Sequence, residues 1–297
     1  SDFHHVERLN MLIERCHAYG AKVCVQLSPG LGRQQFTDPF TPPYSAGSVG
    51  AFWFPDLICK PFSKEDIHYL VEKVGYSASL AVNAGADCVE LHAYGGYLLD
   101  QFHSVQWNNR TDEYGGDIHG RLRLTLEVIE EVRKQCGRDF IIDVRISGDE
   151  YSDGGLTLND MIYVSKQLEK ATVDFIHVSG GNTIKKGSSM PASGTAPAPH
   201  KHASEEIKKH VSIPVATVSR INEPWVADEL IANGVCDACM IGRPNLCDSE
   251  FANKAKAGKT DEIRPCIGCG RCLTGIMFGK PISCTVNPAV EKEEIDE

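Results

Sequence analysis

The feature that most constrains this chain is a repeated unit. An amphipathic segment runs to a Gly-marked stop, and a short, continuously apolar run follows. The apolar runs fall at residues 22–27, 88–92, 140–146, 174–178, 214–218 and 237–241. Gly20, Gly85, Gly137 and Gly234 close four of the segments that precede them. Ser63-x-x-Asp66 and Thr157-x-x-Asp160 read as helix starts, because a Ser or Thr oxygen and an acidic side chain can satisfy each other's free backbone N–H groups. Asn222 followed by Pro224 reads the same way. Strands that are apolar throughout, without alternation, belong to parallel sheets covered on both faces. Polar and Gly-rich residues follow each run: Ser28-Pro29-Gly30, His92 to Gly96, Ser147-Gly148, Ser179-Gly180-Gly181, Ser219-Arg220 and Gly242-Arg243. Chemistry gathered after every strand is the arrangement of a TIM (β/α)8 barrel. A doubly wound sheet would concentrate it at one switch point, and no Gly-x-Gly-x-x-Gly follows the first run. Six units are counted where a barrel has eight, so the pattern predicts a barrel lacking its first two βα units, which are placed ahead of Ser1. The stretch 30–60, rich in Pro, Gly and aromatics, is read as an active-site loop without strands.

Composition narrows the function classes. The 297 residues carry 30 Lys+Arg against 40 Asp+Glu, a net charge of −10. That balance disfavours a nucleic-acid partner, which needs a basic stripe. No apolar run approaches the ~20 residues of a spanning helix, and the start lacks the charged-then-apolar pattern of a signal peptide. A cytoplasmic, non-membrane protein is expected. Its 12 Cys then predict free thiols, not disulfides. Cys24, Cys88, Cys236 and Cys239 read as small hydrophobes in or beside strands, with strand geometry expected to keep Cys236 and Cys239 apart. Cys16, Cys59, Cys136 and Cys247 show no constellation.

Two motifs carry chemistry. In the first, His92 ends a buried strand and Tyr97 lies in the loop above it. A His that donates a hydrogen bond and a Tyr that gives up a proton could polarise and protonate a substrate; a satisfied core His beside a packing Tyr is the plain alternative. The polar run from Trp107 to Gly116 is more elaborate than a connector requires. The second motif is Cys266-x-x-Cys269-x-x-Cys272, with eleven residues before Cys284. Four Cys so spaced form a metal or cluster pattern, open to iron–sulfur or to zinc.

The segment His92-Ala93-Tyr94-Gly95-Gly96-Tyr97-Leu98-Leu99-Asp100-Gln101-Phe102, continued by Asn108 to Gly116, resembles the signature of the old yellow enzyme family of flavin-dependent ene-reductases. Within it the chain is most similar to the 2,4-dienoyl-CoA reductase and 2-enoate reductase branch, from residue 25 to residue 288. The resemblance implies an FMN-binding barrel over 1–260 and a 4Fe–4S segment with an acidic tail over 261–297. Gln26 would bond the flavin pyrimidine ring, and Arg145 would stabilise reduced flavin near N1. Gly242 and Arg243 would bind the FMN phosphate, helped by Ser219, Arg220, Gly180 and Gly181. His92 would orient the substrate carbonyl and Tyr97 would protonate the α-carbon. Cys266, Cys269, Cys272 and Cys284 would hold the cluster. The family usually places His or Asn at the position of Gly95. The branch usually has three residues, not two, between its second and third Cys.

The activity implied is reduction of a C=C bond conjugated to a carbonyl or thioester, in a small-molecule enone, enoate or enoyl thioester. Electrons would come from NAD(P)H, through an FAD domain or subunit outside this chain or directly at FMN. The rival reading is a non-catalytic barrel fragment whose metal or cluster site serves assembly. Loops 30–60 and 183–199 would set the substrate.

Overall fold

The computed structural model describes residues 2–184, 189–277 and 279–292. The acidic tail of the sequence reading therefore lies largely outside the described residues, as does part of the 183–199 loop. The order is α1 (Asp2–Ala18), β1 (Cys24–Leu27), β2 (Tyr44–Ser45), β3 (Lys60–Pro61), α2 (Lys64–Asn83), β4 (Cys88–Ala93), α3 (Leu98–His103), α4 (Ile118–Cys136) and β5 (Ile141–Ser147). Then come α5 (Leu158–Lys170), β6 (Phe175–Ser179), α6 (Lys201–Lys208), β7 (Val215–Val218), α7 (Pro224–Ala232), β8 (Ala238–Met240), α8 (Arg243–Cys247), α9 (Phe251–Lys256) and α10 (Arg271–Met277).

Six of these strands form one parallel sheet in the order β1-β4-β5-β6-β7-β8. This is the predicted run of six βα units, curled as part of a barrel. The capping boxes at Ser63 and Thr157 are both formed, and Pro224 stands in the first turn of α7. Helix α6 begins at Lys201.

Side chains alternate across a strand. Val89, Leu91, Ile142, Val144, Ile146, Ile176, Val178 and Val215 join helix residues such as Ala78, Leu122, Ile129 and Leu168 in the main core. The intervening residues Gln26, Glu90, His92, Asp143, Arg145 and His177 therefore face the concave side. Registers place Gln26 beside Glu90 beside Asp143, and His92 beside Arg145 beside His177. The concave face is polar and layered. Strands β1 and β8 are the sheet edges, and Cys24 and Gln26 of β1 are exposed.

Two expectations are corrected. Cys24 and Cys88 form a disulfide: they are register partners on adjacent parallel strands, with Cα atoms 4.5 Å apart, a distance a disulfide spans. The 30–60 loop also contains β2, which pairs in parallel with β3. Among the described residues no helix is long and apolar enough to cross a membrane.

Candidate active site

The C-terminal ends of the strands open into a cavity of about 590 Å³. Its wall includes His92 from β4, Arg145 from β5, Val218 from β7 and Met240 from β8. The loops after those strands add Tyr97, Ser219, Arg220, Gly242 and Arg243. Seven of the sequence-selected residues thus meet in one place. Gln26, Gly180 and Gly181 are not part of this wall. The Gln26 amide donates to Glu90. The Gly181 N–H donates to the Asp149 carbonyl, and Gly180 packs under His200 and Tyr151.

His92 is 8% exposed, and its Nδ1 has no hydrogen-bond partner among the described residues. Burial, and then the Arg145 cation, lower its pKa to about 4, so the ring is neutral near pH 7 and carries one N–H. Its ring centroid is 4.8 Å from that of Tyr97. The chain reaches Tyr97 through Gly95 and Gly96, both left-handed at φ 72° and 77°, a conformation glycine adopts without cost from a Cβ. Tyr97 is the residue that precedes α3. The turn is anchored from below: Asp100 accepts from the Gly96 N–H at 2.7 Å, and the buried Gln101 amide donates to the Gly96 and Leu31 carbonyls.

Tyr94 was missed by sequence reasoning, although strand alternation places it on the same face as His92. Its ring lies 4.3 Å under the Arg145 guanidinium, a cation–π distance, and its hydroxyl donates to the Ser189 carbonyl at 2.7 Å. Arg145 Nε is buried and makes no hydrogen bond among the described residues. A half-buried cation whose buried donor is unused is an expensive arrangement without an anionic or polar partner.

Below this layer lies a second missed group. Glu90 accepts from His177 Nδ1 at 2.7 Å and from Gln26. Burial, and then the neighbouring Glu90 charge, push Asp143 up to about 9, so Asp143 keeps its proton and shares it with Glu90. Among the described residues these three are the only trio with metal-type ligand atoms within 4.8 Å of one another. Their hydrogen bonds already account for the grouping.

At the far side of the cavity, Ser219 and Arg220 are consecutive left-handed residues at φ 91° and 52°. Non-glycine residues seldom adopt this conformation, and such strain concentrates at ligand sites. Arg220 Nη1 is buried and without a hydrogen-bond partner among the described residues, and Arg243 lies nearby in the same wall. Two guanidinium groups and the Gly242 backbone suit a dianionic phosphate. The run from Trp107 to Gly116 serves instead as bracing. Arg110 makes a two-pronged contact with Asp112 at 2.9 and 2.6 Å and donates to the Ala46 and Phe62 carbonyls.

A second, small cavity is lined by Cys266, Cys269, Cys272 and Cys284, together with Cys247. Arg243 lines both cavities, and Asn222 Nδ2 donates to the Cys266 carbonyl at 2.9 Å, so the two sites share a wall. Cys247 corrects the sequence reading that gave it no constellation: its Sγ lies 3.6 Å from Cys284 Sγ. Cys236 and Cys239 are also closer than expected, with Sγ atoms 3.8 Å apart, because Cys236 precedes β8 and is not bound by strand alternation. A tetrahedral zinc with bonds of about 2.3 Å would set its sulfurs about 3.8 Å apart. Among the described residues no three thiols lie within 4.8 Å of one another. The spacing is more open than a preformed single-ion site.

Residues 2–262 match the NADH:flavin oxidoreductase / NADH oxidase family. Among curated relatives, the chain is 34% identical over 308 residues to the cinnamate reductase of Clostridium sporogenes, covering 96% of this chain and 45% of that protein. It is 36% identical over 289 residues to an NADH oxidase of Thermoanaerobacter brockii, covering 96% and 44%. A solved 2-naphthoyl-CoA reductase in complex with 2-naphthoyl-CoA superposes with a TM-score of 0.89 at 25% identity, over 97% of this chain and 46% of that one. The chain thus spans less than half the length of these relatives. The fold, the cavity at the strand ends and the match over most of the sequence agree: this chain belongs to the NADH:flavin oxidoreductase / NADH oxidase family of oxidoreductases.

Proposed function

We propose that this chain is the flavin-binding, ene-reducing part of an NAD(P)H-dependent reductase. The observation that carries the reading is the meeting of His92, Tyr97 and Arg145 in one cavity that also holds the strained Ser219-Arg220 turn and Arg243. The residues fit FMN. The unused Arg145 Nε and Arg220 Nη1 are donors in want of acceptors, and FMN offers a ring carbonyl side and a phosphate. Arg145 would face the pyrimidine end of the ring, and Arg220, Arg243 and Gly242 the phosphate. When bound, the flavin supplies hydride to the carbon β to the substrate's carbonyl.

The remaining work falls to the protein. His92, neutral and largely buried, donates its single N–H to the substrate carbonyl oxygen and so favours charge build-up there. Tyr97 gives its hydroxyl proton to the α-carbon. Arg145 holds a positive charge where negative charge accumulates on reduction. With glycine at 95, the carbonyl contact rests on His92. Phe52 and Trp53 on the wall suit a flat conjugated acyl group, as an enoate or an enoyl thioester, in keeping with the substrates named for the relatives.

Cys266, Cys269, Cys272 and Cys284 are proposed to hold a 4Fe–4S cluster. The donors are all thiols, the spacing is open, and the site adjoins the flavin cavity through Arg243. The cluster would supply single electrons, with NAD(P)H as their source and FAD only where a further domain provides it. The test is an anaerobic spectrum with iron, sulfide and flavin analysis. Bound flavin with iron and sulfide supports the reading. A colourless, zinc-only protein overturns it.

A further inference from the structure

Four of the five thiols in the second cavity belong to the Cys-rich segment. The fifth, Cys247, comes from α8, the helix whose first residue is Arg243 of the flavin cavity. Cys247 is 3% exposed, and its Sγ is 3.6 Å from that of Cys284, although 37 residues separate them. Cys266 is its other sulfur neighbour. Cys284 is more accessible than Cys247. The pair therefore sets a half-buried thiol within reach of a fully buried one, the spatial order that thiol–disulfide exchange through a mixed disulfide requires.

We propose that Cys247 is the resolving thiol of Cys284, and that in the metal-free chain the two close to a disulfide that blocks cluster insertion. The inference rests on the cluster reading above. The Cys284 sulfur attacks one sulfur of a low-molecular-weight disulfide such as oxidised glutathione and releases one thiol, which takes up the Cys284 proton. The Cys247 sulfur then attacks the Cys284 sulfur of the mixed disulfide and releases the second thiol, which takes up the Cys247 proton. Two protein thiols are oxidised, one small disulfide is reduced to two thiols, and the protons leave with those products. A sulfur–sulfur bond here would also tie α8 to the Cys-rich segment. Dithiol reduction reverses the step and returns Cys284 to the metal.

The experiment uses the whole chain, stripped of metal anaerobically, treated with oxidised glutathione, alkylated and mapped by mass spectrometry. The expected product is a Cys247–Cys284 cross-linked peptide. Subsequent iron and sulfide uptake should fall at least several-fold and recover after dithiothreitol. In Cys247→Ala, Cys284 should instead retain a glutathione adduct, with circular dichroism confirming the fold. Cys284 bonded to Cys266, Cys269 or Cys272, or Cys247 recovered alkylated, overturns the proposal, and either result is read on the unsubstituted chain without any variant. If the reduced chain takes up no iron and sulfide, the cluster reading fails instead, and the peptide map still decides the disulfide.

Discussion

The strand-end cavity proposed for flavin and the cysteine cavity share Arg243 as a wall but are built in opposite ways. His92 and Arg145 project from β4 and β5, each paired on both sides, over a core in which Leu91, Val144 and Ile176 are fully buried. Four of the five cysteines of the second cavity sit on loops and the short helix α10, and Cys269 is exposed. That segment is fastened to the barrel by contacts such as Asn222 to Cys266 and Asn287 to Leu246. The difference teaches that the first site is organised by the fold, whereas the second would draw much of its order from what it binds, since metal–thiolate bonding is itself folding free energy.

The largest expected effect falls on the loosely built side. Cys266→Ala should abolish iron and sulfide retention while leaving the main calorimetric transition of the barrel in place. A matching collapse of the barrel would break the comparison. Next comes Tyr97→Phe. Loss of a positioned proton donor should slow enone reduction by about 10²–10⁴-fold, with reduction of the flavin by NAD(P)H unchanged. Equal slowing of both half-reactions would show that Tyr97 shapes the cavity and does not donate the proton.

A third test addresses the core beneath the first site. Leu122 is fully buried among α4 and its neighbours, so Leu122→Ala should cost about 2–5 kcal/mol in denaturant unfolding. Flavin affinity should fall only as the fold does. If affinity falls far ahead of stability, the cavity is less rigid than the strand pairing implies.

How much of this was legible follows from the same contrast. The barrel units were readable because an apolar run between Gly-marked helices has few other solutions. His92 and Arg145 lie near the ends of strands and Tyr97, Ser219, Arg220, Gly242 and Arg243 follow strands, which made the region legible, but the cofactor roles of Arg145, Ser219, Arg220, Gly242 and Arg243 came from the family resemblance. Gly180 and Gly181 also follow a strand, yet the Gly181 amide is spent on Asp149, a partner that no local pattern reveals. Tyr94 was readable by alternation from His92, but its stacking on Arg145 depends on the pairing of β4 with β5. The Cys24–Cys88 disulfide and the Cys247–Cys284 contact join residues 64 and 37 positions apart. Both depend on register and packing, which composition and spacing do not encode.

A pH test sharpens the description of the fold-built site. Burial lowers the pKa of His92 to about 4 and of His103 to about 3, and lowers that of His177, against about 6.5 for an unfolded His. The folded chain then binds fewer protons than the unfolded one as pH falls below 6.5. These groups should leave stability flat above neutrality and erode it from about pH 6.5 down towards their folded values. His92→Gln should remove part of that slope in urea midpoints measured against pH. An unchanged slope would mean that His92 is hydrated and not held neutral by burial.

The smallest effect probes the helices that back the strands. Ser63 accepts from the Asp66 N–H at 3.1 Å, and Asp66 accepts from the Ser63 N–H at 3.1 Å, which closes the start of α2. Helix α2 places Ile67, Val74, Ala78 and Ala81 in the core. Ser63→Ala leaves backbone donors of the first turn to water and should cost about 1 kcal/mol of unfolding free energy. Because α2 packs on the barrel and is remote from the thiols, iron uptake by the cysteine segment should not change. A loss of iron uptake in Ser63→Ala would show that the segment depends on the global stability of the barrel, and the two regions would then have to be treated as one cooperative unit.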